Sequence, residues 1–167
     1  TQNDPTPAAS RAEKSAYERN GYLFPIRVMP ADEMVEIRGR LERYLETADR
    51  DPKDDFLLQF KVHMVFTWAD DLIRHPTVLD TVEELIGPDI MVWNTAVLMK
   101  KPHEPDFVTY HQDVLYWGNE PDHVVSAWIA LAASTPESGC IRVFPGSHKK
   151  GILPHIDTFG EDNMLSR

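Results

Sequence analysis

The feature that most constrains this chain is a change of hydrophobic period at Gly87-Pro88. Before it, apolar residues recur at helical spacing. Met34, Ile37, Leu41, Tyr44 and Leu45 fall on one helix face, and Val78, Leu79, Val82, Leu85 and Ile86 on another. After it, short runs rich in β-branched and aromatic residues alternate with turns carrying Pro, Gly and Ser. Helices followed by many short strands predict an α+β chain, mainly β with N-terminal helices, whose core is an antiparallel sandwich or small barrel. The helical lead is expected to occupy about 1–88, and the strands to run from about 89 onward in a single domain, 1–167.

The spacing predicts three helices. The first covers 10–20 and ends at Gly21, the second is centred on Met34 to Leu45, and the third opens with Pro76 and stops at Gly87-Pro88. Residues 1–10 read as a flexible lead, and 22–28 as an extended stretch that Pro25 confines to an edge. The apolar stretch 56–68 carries no clear period. Strands are predicted over 90–99, 107–113, 124–132 (buried) and 140–144, with a loop over 114–123.

Charge narrows the function classes. With 17 Lys and Arg against 27 Asp and Glu, the net charge is −10, which disfavours partners held by charge such as nucleic acid or an anionic membrane. The apolar runs are too short to span a bilayer as a helix. A lone cysteine, Cys140, cannot form an internal disulfide and suits a reducing compartment, with the cytoplasm as the expected location. Oligomeric state is not readable from the sequence.

The chemistry concentrates at Tyr110-His111-Gln112-Asp113. On a strand, residues i and i+2 project from one face with Cα atoms about 6.6 Å apart, so His111 and Asp113 can converge. An imidazole and a carboxylate joined by a third ligand make the facial site of non-haem Fe(II) oxygenases, which leaves positions open for a bidentate co-substrate and O2. Alone, the triplet reads more readily as a solvated strand face than as a metal site.

Further residues accompany it in order. Ala127-Trp128, Glu137-Ser138-Gly139-Cys140 and Pro145-Gly146-Ser147-His148 follow His111-Gln112-Asp113. Over roughly 60–167 this set resembles the phytanoyl-CoA dioxygenase family of Fe(II)/2-oxoglutarate oxygenases. The resemblance implies a double-stranded β-helix, or jelly roll, preceded by helices. It implies that His111 and Asp113 are iron ligands, and that Gln112, Trp128 and Lys61 lie near the 2-oxoglutarate site. Packing alone would also explain Trp128, and solvation Lys61. Fe(II) and the co-substrates 2-oxoglutarate and O2 would hydroxylate a small organic substrate through a ferryl intermediate. Related halogenases have a small residue where Asp113 stands, so its carboxylate favours hydroxylation.

Two parts of the family pattern are not met. Neither the distal His nor the Arg that pairs with 2-oxoglutarate stands in its expected context. His148 reads as a turn residue, and the surroundings of His155 do not match the distal motif. The stretch 162–167 resembles a mid-domain segment, so the jelly roll is expected to be incomplete here, with the missing ligands beyond Arg167. A non-catalytic jelly-roll binding module or metal-free relative remains an alternative, as does a Zn or Mn hydrolase or isomerase on a cupin-like barrel. Tyr116, Trp117 and His123 are candidates for lining a pocket that takes an apolar or mixed substrate.

Overall fold

The computed structural model describes residues 11–117, 124–156 and 159–165. The expected lead over 1–10, the Gly118, Asn119 and Pro121 part of the expected loop, and His123 lie outside the described residues.

Helix α1, Arg11–Asn20, stops where its sequence says it should. Gly21 adopts a left-handed φ of 81° and donates its N–H to the Tyr17 carbonyl at 2.7 Å. A side chain at Gly21 would strike the His148 imidazole, whose Nε2 donates to the Glu18 carbonyl at 3.0 Å. Gly146 N–H reaches the Asn20 carbonyl at 2.7 Å, so the 145–148 turn is seated on the end of α1.

Helix α2, Ala31–Thr47, buries Leu41 and carries Asp32 and Glu33 in its first turn. Its solvent face bears the i,i+4 pairs Arg38–Glu42 and Arg40–Glu36, each at 2.7 Å. Two aspartates then punctuate the chain. Asp51 caps a 3-10 turn, Pro52–Asp54, and Asp55 caps helix α3, Phe56–Gln59.

The stretch without a clear period resolves into pieces too short to show one: α3, a 3-10 turn at Val62–Met64, and α4, Thr67–Ile73. Lys61 joins the first two with a left-handed φ of 51°. Helix α5, Pro76–Ile86, has Pro76 in its first turn and Gly87 just past its end, as the spacing predicts. The side chain of His75 supplies its cap, Nδ1 accepting from Thr77 N–H at 3.2 Å.

The core lies among these helices. Leu41, Leu58, Val62, Trp68 and Ala69 are buried together, with Ile37, Tyr44, Leu45 and Phe66 packed around them. Tyr44 and Phe66 meet edge to face, their ring centroids 4.7 Å apart. The second half of the chain contributes Val97 and Leu131 to this cluster.

The expected mainly β jelly roll is not what the structure shows. Among the described residues there is no β-strand, and a single isolated bridge, parallel, joins Phe107 and Asn163. Segments 90–99, 124–132 and 140–144 carry no ladder pairing. Met91 is 82% exposed, Ile141 55% and Trp128 47%, so the expected buried strand over 124–132 is corrected as well. A run of β-branched residues favours extended backbone, but a strand exists only where a neighbour about 4.8 Å away completes the hydrogen bonds. Here Thr95 and Val97 bond instead to the short helical pieces at 56–64. Val97 N–H donates to Leu58 O at 2.7 Å and Val62 N–H to Thr95 O at 3.3 Å. Part of the expected loop over 114–123 is helical: α6 spans Val114–Trp117.

Candidate active site

Residues 107–109 are held by a distant segment. Phe107 N–H donates to the Asp162 carbonyl at 3.0 Å, and Met164 N–H to the Phe107 carbonyl at 2.9 Å. Asn163, only 3% exposed, adds a side-chain bond from its Nδ2 to Thr109 Oγ1 at 3.3 Å. The chain then turns into α6, with Leu115 N–H bonding to the Gln112 carbonyl and Tyr116 N–H to the Asp113 carbonyl.

This turn brings His111 and Asp113 together. His111 Nε2 lies 2.8 Å from Asp113 Oδ1, and Nδ1 donates to the Thr109 carbonyl at 2.8 Å. Ser126 Oγ donates to the other Asp113 oxygen at 2.9 Å. The convergence expected from alternate positions on a strand is reached without a strand. Each partner stabilises the other's charge. The hydrogen bond to Asp113 is the main cause raising the His111 pKa, opposed by burial. The same bond lowers the Asp113 pKa, with Ser126 assisting.

The donor set suits a metal ion in part. With Nδ1 donating to Thr109 O and Nε2 donating to Asp113 Oδ1, the imidazole is doubly protonated in this arrangement; a metal would take the place of the Nε2 proton, between the nitrogen and oxygen ligands that Fe(II) accepts. Among the described residues, no cluster of three His, Cys, Asp or Glu is gathered to complete a site.

Beside the pair opens a cavity of about 390 Å³, lined by residues that include His111, Tyr110, Tyr116, Arg142 and Phe144. Tyr110 and Phe144 stack at 4.4 Å. Gln112 forms a latch at its rim: Nε2 donates to Gly151 O at 3.0 Å, Oε1 accepts from Leu153 N–H at 2.8 Å, and its backbone N–H donates to His155 Nε2 at 3.1 Å. That bond and the Nδ1 bond to Leu153 O at 2.7 Å engage both nitrogens of His155.

Of the other residues singled out in the sequence, Gln112 and Tyr116 line this cavity, whereas Lys61, Trp117 and Trp128 do not. Lys61 donates its N–H to Asn94 Oδ1 at 2.8 Å and places its ammonium 5.4 Å from the Phe60 ring centroid. The sequence reading passed over Arg142, Ser126 and Asn163.

An imidazole and a carboxylate aimed at one point beside a largely apolar cavity define a candidate mononuclear metal site. Its kind follows from comparison with known proteins. The profile described as phytanoyl-CoA dioxygenase (PhyH) matches residues 17–167, and the chain belongs to this family of oxygenases. A probable phytanoyl-CoA dioxygenase of Caenorhabditis elegans is 29% identical over 171 residues, covering 87% of this chain and 55% of that protein. The peroxisomal phytanoyl-CoA dioxygenase of Homo sapiens is 29% identical over 164 residues, covering 86% and 48%. The 1-deoxypentalenic acid 11-beta-hydroxylase of Streptomyces arenae is 36% identical over 95 residues, covering 53% and 33%. The chain thus spans about half the length of the phytanoyl-CoA dioxygenases it matches. No solved structure gives a significant match. Among the described residues, no helix is long and apolar enough to cross a membrane.

Proposed function

We propose that this chain serves an Fe(II)- and 2-oxoglutarate-dependent dioxygenase that hydroxylates a small organic substrate, with His111 and Asp113 as two of the metal ligands. The observation that carries this reading is the 2.8 Å meeting of the two side chains at the edge of a cavity, within a chain of an oxygenase family. When bound, the iron and its co-substrates would supply the oxidising power for hydroxylation.

The protein's own residues prepare the site. The Thr109 carbonyl keeps the His111 proton on Nδ1 and so frees Nε2 for a metal. Ser126 fixes the carboxylate plane of Asp113. The Gln112 latch holds the cavity wall, while Tyr110, Phe144 and Tyr116 keep the space largely apolar. Gln112, Trp128 and Lys61 are assigned to the 2-oxoglutarate side, and the third ligand to a residue outside those described. A reducing compartment such as the cytoplasm suits the single cysteine.

The test is iron-dependent formation of succinate from 2-oxoglutarate, with anaerobic Fe(II) titration as a second readout. His111→Ala and Asp113→Ala are expected to abolish both while the far-ultraviolet circular dichroism stays unchanged. Full turnover in either variant removes the ligand assignment. The lack of a third donor among the described residues favours one alternative, a non-catalytic binding module. That alternative predicts no succinate at any iron concentration.

A further inference from the structure

The cavity beside His111 has a charge character opposite to that of the chain. The protein carries 27 acidic residues against 17 Lys and Arg, yet among the described residues no Asp or Glu lines this cavity. Its charged or chargeable lining is Arg142, His111 and His155. The histidines are occupied: His111 by Thr109 and Asp113, His155 by Gln112 and Leu153. Arg142 is exposed, and among the described residues it makes no hydrogen bond or ion pair. Arg38, Arg40, Arg74, Lys53 and Lys101 are ion-paired on this acidic chain, whereas Arg142 stands at the cavity without an ion pair among the described residues. Arg142 lines this space together with Tyr110, Phe144, Leu153 and Ile156, and a guanidinium at its wall offers a planar two-point match for a carboxylate, with apolar side chains for the rest of the molecule.

We infer that Arg142 anchors the carboxylate of an organic acid with an apolar body, and thereby selects anionic over neutral substrates at this site. The inference deepens the proposed oxygenase reading and rests on it for the word substrate; the binding site itself does not depend on iron. A carboxylate is also present on 2-oxoglutarate, so the test separates the two sources.

Decanoate, decanol and 2-oxoglutarate are titrated into the full chain, followed by nuclear magnetic resonance shifts of the tryptophan indole and backbone amides. Wild type, Arg142→Lys and Arg142→Met are compared, each first shown to keep the wild-type circular dichroism and thermal midpoint. A charge-assisted bidentate contact is worth about ten- to hundredfold in affinity. Wild type is therefore expected to hold decanoate at least about tenfold more tightly than decanol. Arg142→Met should lose that preference without weakening decanol, and Arg142→Lys should retain only part of it. Equal affinity for decanoate and decanol in wild type overturns the inference, as does unchanged decanoate affinity in Arg142→Met. Loss of 2-oxoglutarate affinity with decanoate affinity retained overturns the substrate assignment in favour of the co-substrate. Anaerobic Fe(II) titration of the same samples isolates the underlying reading. Iron binding with no acid preference sinks the Arg142 inference alone, whereas acid preference with no iron binding sinks the oxygenase reading and leaves an acid-binding module.

Discussion

Asp55 ties three elements of the helical half together, and removing its carboxylate tests how that half is held. The side chain is fully buried. Oδ2 accepts from the Tyr44 hydroxyl of α2 at 2.5 Å, Oδ1 accepts from Leu57 N–H as the cap of α3 at 3.0 Å, and Arg50 stands 3.9 Å away. Asp55→Ala loses the cap, at about 1 kcal/mol. It also leaves the Tyr44 hydroxyl without its acceptor, which adds about 1 kcal/mol because that group is only half-buried. The expected loss of about 2 kcal/mol is a large part of the roughly 5–15 kcal/mol that a domain has. Urea unfolding followed by circular dichroism should show a lower midpoint with an unchanged slope. Tyr44→Phe should cost about half as much, and the double variant less than the sum, because both remove the same bond. A second signature is pH. The hydrogen bond to Asp55, ahead of burial, raises the Tyr44 pKa in the folded protein. A raised pKa stabilises the fold below the unfolded value of about 10 and loses that stabilisation as pH climbs through the folded value. The gap between wild type and Tyr44→Phe should therefore shrink on the alkaline side. An Asp55→Ala variant within about 0.5 kcal/mol of wild type, the range of ordinary surface changes, refutes the reasoning.

Two shorter predictions concern the site and its supporting turn. Ser126→Ala removes one hydrogen bond from Asp113 and is expected to weaken metal binding about tenfold, the lower range for an outer partner of a ligand, as read by anaerobic titration with Fe(II) or Mn(II). An unchanged affinity would show that Ser126 does not orient the carboxylate. Asp51, bound to Lys101 Nζ at 2.6 Å and to Lys53 N–H at 3.0 Å, has its pKa lowered chiefly by the Lys101 bond. A lowered pKa stabilises the fold above the unfolded value of about 3.9 and loses that stabilisation as pH falls through the folded one. Asp51→Asn should thus be less stable than wild type at neutral pH, and the two should converge in acid. A gap that persists at pH 2 would contradict this.

The helical half was legible because its signals are local. Apolar residues three and four apart, Pro76 in a first turn, and Gly21 and Gly87 just past helix ends each act within one or two turns of chain. The stretch 56–68 was not legible, because a four-residue helix and a three-residue turn are shorter than the repeat that would reveal them. The β half failed for a different reason. Alternation and β-branching report what backbone a segment favours, while a sheet needs a partner whose identity is not written in the segment. Ile141 and Met91 have the right composition for a sheet and stand exposed without one. At the site, His111 and Asp113 were visible as a spaced pair. Asn163, Ser126 and Arg142 were not, since their relevance comes from folding that brings residues 13 to 54 positions apart into contact or around one cavity.

The absence of a ladder around His111 changes what holds the site. In a sheet, the positions of residues i and i+2 are set by backbone bonds on both sides and survive most side-chain changes. Here, among the described residues, backbone bonds to a distant segment hold 107–113 only at Phe107, and the rest of its placement depends on side chains reaching across the chain. Asn163 reaches Thr109, Gln112 reaches Gly151 and Leu153, and Ser126 reaches Asp113. Asn163 is the most buried of the three and its side chain reaches Thr109, so it acts by fixing the segment. Gln112 occupies the position between the two candidate ligands, so the latch and the metal pair share one short turn of backbone. Movement of the 151–155 segment against Gln112 would alter the cavity wall and the approach of His111 to Asp113 together. The wall of the cavity and the His111–Asp113 pair therefore meet at a single residue, Gln112.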